Sequence, residues 1–457
     1  MTDDIKSTIC SKAWNYPIIN LANNELTMCC HTVHQRVQDN EIENLGVDIF
    51  TKFQPIQETK FDLLKGIKSD SCSYCWRLEE KNIGSSRTGF DDFARYVAST
   101  NYFNTYDKRE VANKLSTLTI DEKFQMSKNL VAPKNIEIFV GNHCDLKCVY
   151  CNEWFSSQWM VEKKKYDEID QNWKRNDGLT QESSSLETVW WDWFENHIYD
   201  KPDIIAFLGG EPLLMNKLYS HIDRILNKYN SFNLGRPIWI SIVSNFNTPP
   251  AYFDKFMKLI PKILETPWVH LDLSVSIESL GDKTEFIRTG AKWDRIEKNI
   301  RQLLSAVAAM ENRGKFSFNI MSALNALAIP DLPNFYRFIV DIQREYDIAV
   351  NVRGSQVVYP NWLQPSILSE SFSENVDEAI EILSANKLPE KKYRFGPWLH
   401  YISHLQEVKK AILDPDKNLQ NRREFVWYIR LLEERRGINF RKTFPELVDF
   451  FNMCYRL

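Results

Sequence analysis

Cys144, Cys148 and Cys151 stand in the run Gly141-Asn-His-Cys-Asp-Leu-Lys-Cys-Val-Tyr-Cys-Asn152, directly after the strand-like stretch Ile136 to Val140. Thiolates are soft ligands that select iron-sulfur clusters, and three at this spacing fit three corners of a cube. A cube needs four ligands, so one iron is left for a molecule that is not protein. Zinc knuckles also use thiols, but zinc sites usually come as two C-x2-C or Cys/His pairs. The run therefore points to catalysis at an open iron.

Elements suited to position such a loop follow Pro133. Apolar, β-branched runs occur at Ile136 to Val140, Ile204 to Leu208, Ile238 to Val243, Val269 to Ile277, Phe316 to Met321 and Ile348 to Val352, and read as strands. Between them, Leu218, Ile222, Ile225 and Leu226, then Trp293, Ile296, Ile300, Leu303, Leu304 and Val307, then Phe335, Phe338, Ile339 and Ile342 recur at helical spacing; each set forms one apolar face. Strands separated by helices pair in parallel with right-handed crossovers. The expected fold is α/β: a partial, open (β/α)6 TIM-type barrel whose functional groups sit at the strands' carboxyl ends.

Polar residues fall at those ends. Gly209, Gly210 and Glu211 follow the second strand, where paired glycines admit a ligand close to the backbone; a tight strand-to-helix turn would need the same residues. Ser244 and Asn245 end the third strand, and Ser276 and Glu278 the fourth; helix capping is the other role such residues fill. Arg288 lies in Glu285-Phe-Ile-Arg-Thr-Gly290, a position that a surface arginine would also suit.

Together these motifs resemble the radical S-adenosylmethionine (SAM) superfamily, whose signature is C-x3-C-x2-C with an aromatic residue, here Tyr150, before the last cysteine. The resemblance is strongest from Asn135 to Ala326. It implies a 4Fe-4S cluster on Cys144, Cys148 and Cys151, with SAM on the open iron. Gly209, Gly210 and Glu211 would hold the SAM amino group, Ser244, Asn245, Ser276 and Glu278 its ribose and methionine parts, and Arg288 would lie near its carboxylate. Reduction of the cluster would cleave SAM to methionine and a 5′-deoxyadenosyl radical that takes hydrogen from a substrate. An electron donor such as a flavodoxin or ferredoxin is implied, and the resemblance singles out no catalytic residue beyond these ligands.

Five further cysteines precede the barrel. Met28-Cys-Cys-His31 is followed about forty residues on by Ser71-Cys-Ser-Tyr-Cys-Trp76. Cys30, Cys72 and Cys75 are the expected ligands of a second metal centre, with Cys10, Cys29, Cys454 or an open position completing it. This pattern resembles the twitch domain, a shortened SPASM domain that binds an auxiliary iron-sulfur cluster, and Phe444-Pro-Glu-Leu447 resembles the close of twitch-containing relatives. A structural zinc site on Cys72, Cys75 and His31 or His34 is the alternative.

The remaining sequence bounds these readings. Trp154 to about Pro202 forms a long insertion suited to a lid; its Glu162-Lys-Lys-Lys165 and Lys174-Arg175 charges read as a solvated helix face, and Trp190, Trp191 and Trp193 as helix packing. At 457 residues the chain predicts several domains: an irregular twitch-like region over 1–130, the barrel core over 131–355 and a helical extension over 356–457. A net charge of −4 without long basic runs gives no electrostatic case for nucleic acid. There is neither a secretion signal nor a long apolar span, and the nine cysteines are an odd number, so a cytoplasmic protein without membrane partners is expected. The expected activity is that of a radical SAM oxidoreductase acting on a ribosomally made peptide. The alternatives are a small-molecule or nucleotide substrate and, from another class, a non-catalytic zinc- or iron-binding scaffold.

Overall fold

The computed structural model describes all residues except 1, 33, 81–84, 86, 88, 101, 104, 106, 130–132, 174–183, 387–398 and 416. Most of the turn run 82–86 and the Lys174-Arg175 pair lie outside the described residues.

Strands β1 (Ile18–Asn20), β2 (Glu25–Thr27), β3 (Gln35–Arg36), β4 (Asn135–Phe139), β6 (Ile204–Leu208), β7 (Ile238–Ser244), β8 (Val269–Ser276), β10 (Phe316–Leu324) and β11 (Val350–Gln356) form one sheet. Its order is β11-β10-β8-β7-β6-β4-β1-β2-β3, an open, mostly parallel α/β sheet of nine strands. From β4 to β11 the neighbours follow chain order, as successive parallel strands joined by crossovers commonly do. The short strands β5 (Lys147–Cys148) and β9 (Arg288–Thr289) pair separately and antiparallel. All six strand runs read from the sequence are present, with bounds shifted by at most a few residues.

Two compact units divide the chain: residues 1–141, 175–209 and 216–240 in the first, and residues 142–174, 210–215 and 241–457 in the second. In the first unit, the region expected to be irregular is instead largely helical. Helix Gln54–Lys65 buries Ile56, Leu63 and Leu64, and helix Phe90–Ser99 buries Phe93, Ala94 and Val97. Their apolar faces are short and interrupted by polar residues, which hides the period from a sequence reading. Strand β1 pairs in parallel with β4, register Ile19 to Ile138, so residues before position 130 extend the sheet. Trp190 is fully buried and Trp193 stacks on Phe50 at 4.3 Å, in keeping with helix packing.

In the second unit, helix Trp293–Ala308 buries Ile296, Ile300, Leu303, Leu304 and Val307 along one face. Helices Ser373–Ala385, Leu399–Leu413, Leu419–Arg436 and Val448–Tyr455 make the carboxyl-terminal region helical. Glu162, read as part of a solvated face, is buried, because Arg436 and Lys147 bind its carboxylate at 2.9 and 2.6 Å. Among the described residues no helix is long and apolar enough to cross a membrane.

Candidate functional site

The second unit assembles most of the residues singled out after Pro133. Cys144 and Cys148 are buried and Cys151 is partly exposed. Burial, and then the neighbouring Cys148 thiol, push Cys144 well above its ordinary value; burial raises Cys148 to about 12 and Cys151 to about 11. Three neutral thiols so close become thiolates only when a cation replaces their protons.

Side-chain donors hold the carbonyls of this loop from outside. Ser157 Oγ donates to Cys144 O at 3.2 Å, Ser156 Oγ to Leu146 O at 2.7 Å and Trp159 Nε1 to Cys148 O at 2.9 Å. Helix Leu419–Arg436 supplies two more: Arg436 Nη1 to Lys147 O at 2.8 Å and Tyr428 Oη to Val149 O at 2.6 Å. Arg436 is fully buried, lies over the Trp159 ring and also reaches Thr289. None of these positions carries a local sequence signal.

The glycines act as a close turn. Gly209, at φ +134°, lies against Gly141, and a Cβ on Gly210 would strike the His143 carbonyl. Glu211 N donates to that carbonyl at 2.6 Å. The Glu211 carboxyl is fully buried and accepts from Ser244 Oγ at 2.7 Å, Asn245 N at 2.6 Å and Leu213 N at 3.1 Å. A carboxylate has about four lone-pair sites, so one acceptor position remains. Burial, followed by the charge of Asp145, pushes Glu211 up to about 8.

Asn245 Nδ2 donates to Asp145 Oδ1 at 2.9 Å and approaches Cys144 Sγ at 3.9 Å. Asp145 also accepts from Asn247 at 2.7 Å, so Asp145 and Asn247 join the site without having been singled out in the sequence. Arg288 is buried, and strand pairing sets it opposite Cys148. It forks onto Glu278 at 2.6 to 3.2 Å and approaches Cys148 Sγ at 3.8 Å. Burial alone would lower its pKa; the Glu278 charge more than reverses this. Tyr150, the aromatic residue of the motif, donates to the same carboxylate at 3.1 Å. Ser276 ends β8 partly exposed. Asn142, 2% exposed, has both amide heteroatoms unpaired beside the cysteine loop, which leaves donor and acceptor capacity for a polar group bound there.

In the first unit, Cys10, Cys72 and Cys75 are buried, Cys29 is partly exposed and Cys30 is exposed. The ring of His31 stacks on Tyr74 at 4.4 Å, joining the 29–31 turn to the C-x2-C segment. Burial raises Cys72 to about 12, helped by the charges of Cys29, Cys10 and Cys75. Cys75 is likewise raised, by burial and then by Cys29 and Cys10. The charges of Cys10 and Cys29 reach both Cys72 and Cys75, and that of Cys29 also reaches the exposed Cys30. Among the described residues no three His, Cys, Asp or Glu side chains are arranged to hold a single metal ion. His34 instead faces Glu25 at 3.7 Å. A cluster makes a different demand, since each thiolate binds its own iron. Cys454 is buried in the helix Val448–Tyr455 of the second unit.

No protein-family model matches the sequence, and no curated protein matches it. Its functional reading therefore rests on the residues themselves.

Proposed function

We propose that this chain is a radical SAM enzyme with a twitch-like auxiliary iron-sulfur cluster. The observation that carries the reading is one loop of three thiols, two of them buried, set beside two polar groups: Glu211 with Asn245 and Ser244, and Glu278 with Arg288 and Tyr150. The chain-ordered strands β4, β6, β7, β8, β10 and β11 suit an open (β/α)6 half-barrel with these groups at its carboxyl ends. When bound, a 4Fe-4S cluster and SAM supply one-electron cleavage to methionine and a 5′-deoxyadenosyl radical that abstracts hydrogen.

The chain's residues then have separable tasks. Cys144, Cys148 and Cys151 bind three irons. Glu211 has one acceptor position for the SAM ammonium, and ionises when that charge arrives. Arg288 has guanidinium protons beyond those given to Glu278, suited to the SAM carboxylate. Ser244 and Asn245 orient Glu211, while Ser276 offers a hydroxyl from the next strand end. Cys10, Cys29, Cys72 and Cys75 would hold the auxiliary cluster, with Cys29 in the place first assigned to Cys30. A flavodoxin or ferredoxin suits the electron supply, and a peptide is the favoured substrate over a small molecule or nucleotide. A non-catalytic metal scaffold has no use for buried Glu211, Glu278 and Arg288, whose desolvation costs stability.

The test is anaerobic loading with iron and sulfide, reduction by dithionite and chromatography of the products. Wild type should form 5′-deoxyadenosine; the Cys144→Ala, Cys148→Ala, Cys151→Ala triple variant should remain soluble and form none. Wild-type cleavage by that variant would refute the reading.

A further inference from the structure

Lys60 lies on helix Gln54–Lys65 of the first unit and is only 3% exposed. Burial is the one influence on its ammonium and pushes its pKa down to about 8; no carboxylate and no hydrogen-bond partner adds to it. Such a group still carries its proton at neutral pH, so a positive charge stands in the interior with nothing to balance it. Lys217, the other buried lysine among the described residues, binds Glu187 at 2.9 Å. Pairing of that kind is the rule for buried charges, because taking one out of water alone is costly.

Lys60 also lines a small cavity. Trp14 of helix Lys12–Asn15, Thr27, Met28, Phe50 and Trp193 line it too, and all six residues are buried. Its volume of about 20 Å³ exceeds the roughly 10–15 Å³ that one water needs. The indole Nε1 of Trp14 is a second donor without an acceptor, on a residue 2% exposed. The Thr27 hydroxyl is engaged with that of Thr32, which donates onward to the Cys29 carbonyl at 3.0 Å. Among the described residues no Asp or Glu lines the cavity.

The chemistry of the missing partner follows from these donors. An ammonium offers three N–H groups and an indole one, and neither accepts a hydrogen bond. A group between them must therefore be an acceptor, and to neutralise Lys60 it must be an anion. Water would satisfy the donors and leave the charge unbalanced. Volume then decides among anions: phosphate, sulfate and the carboxylates of metabolites need more than the space of one water, whereas a halide ion is little larger than a water. Walls formed by Met28, Phe50 and Trp193 suit a weakly hydrated halide, chloride or bromide, better than fluoride.

We propose that the first unit binds one chloride ion, held between the Lys60 ammonium and the Trp14 indole N–H. The site uses none of the residues assigned to SAM or to either cluster, so it stands or falls independently of the radical SAM reading.

Urea unfolding of the anaerobically loaded full chain tests it, with sodium gluconate replaced stepwise by sodium chloride or bromide at one ionic strength. Gluconate is too large for the cavity. A ligand that binds only the native state raises stability as its concentration rises, so the wild-type midpoint should climb with either halide. Lys60→Met keeps an unbranched side chain and removes the charge, and its midpoint should no longer respond. Wild-type crystals soaked in bromide should show an anomalous-scattering peak between Lys60 and Trp14, a readout that needs no variant to fold. A wild-type midpoint indifferent to halide, an equal response in Lys60→Met, or a cavity holding only water in the soaked crystals would overturn the proposal.

Discussion

The hydroxyl of Tyr428 donates to the Val149 carbonyl at 2.6 Å across 279 positions of sequence. A residue of the helical carboxyl-terminal region thereby fixes the peptide between the second and third motif cysteines. Tyr428→Phe keeps the ring and leaves that buried acceptor without its donor, which should cost about 1–3 kcal/mol. Guanidinium unfolding of the anaerobically loaded protein measures the loss. Iron content should persist while 5′-deoxyadenosine formation falls, and unchanged stability would show that the bond is idle.

Arg436 is the stronger clamp, because it binds both the Lys147 carbonyl and the Glu162 carboxylate. Arg436→Met leaves Glu162 buried with only Lys147 and should destabilise by about 3–5 kcal/mol. Arg436→Lys should recover part of this, lacking the planar fork. Burial would raise the Glu162 pKa, but Arg436 and Lys147 hold it below the ordinary 4.5. A depressed carboxyl stabilises the fold above its unfolded pKa and loses that contribution as pH falls through the folded one. The gap between wild type and Arg436→Met should therefore narrow below about pH 4.5; a constant gap would place the effect elsewhere.

The strands and the cysteine loop were legible because their signals are local: β-branched runs such as Ile204 to Leu208 and a fixed thiol spacing. Arg288 came from resemblance, and its burial against Glu278 depends on the β5–β9 pairing, two residues long on each side. Tyr428 and Arg436 could not be read, since each acts on a backbone carbonyl far away in sequence. The polar face of β8 was partly readable. Val269-His-Leu-Asp-Leu-Ser-Val-Ser276 alternates strictly, and its even positions announce a second, hydrophilic face. Between Cys29 and Cys30 the sequence offers no choice, because adjacent residues differ in side; in the fold Cys29 is the less exposed of the two.

That pair yields its own test. In the background lacking Cys144, Cys148 and Cys151, about two to four irons per chain should remain, as for a single 2Fe-2S or 4Fe-4S cluster. Cys29→Ser should remove them and Cys30→Ser should not. Metal and sulfide analysis decides it, with zinc in place of iron counting against the auxiliary cluster.

Glu211 should impose a pH dependence. Its folded pKa of about 8 lies above the ordinary 4.5, so its protonated form supports the fold, and that support is lost as pH rises from about 4.5 to about 8. Glu211→Gln should lack this decline in chemical unfolding. Because an ammonium favours ionised Glu211, wild-type affinity for SAM should rise with pH up to about 8. The Gln variant should bind more weakly by roughly 1.5–3 kcal/mol. Equilibrium dialysis at several pH values measures both, and a flat wild-type profile would return Glu211 to the role of a plain turn residue.

The distance along the chain from Lys147 to Arg436, 289 positions, also has a temporal meaning. Translation proceeds at about 5–20 residues per second, so the cysteine loop is made roughly 15–60 s before the arginine that fastens it. During that interval Cys144, Cys148 and Cys151 belong to a nascent chain whose loop has no clamp from helix Leu419–Arg436. On the proposed reading, iron delivered then would meet the loop without that clamp, and iron delivered afterwards would meet it braced.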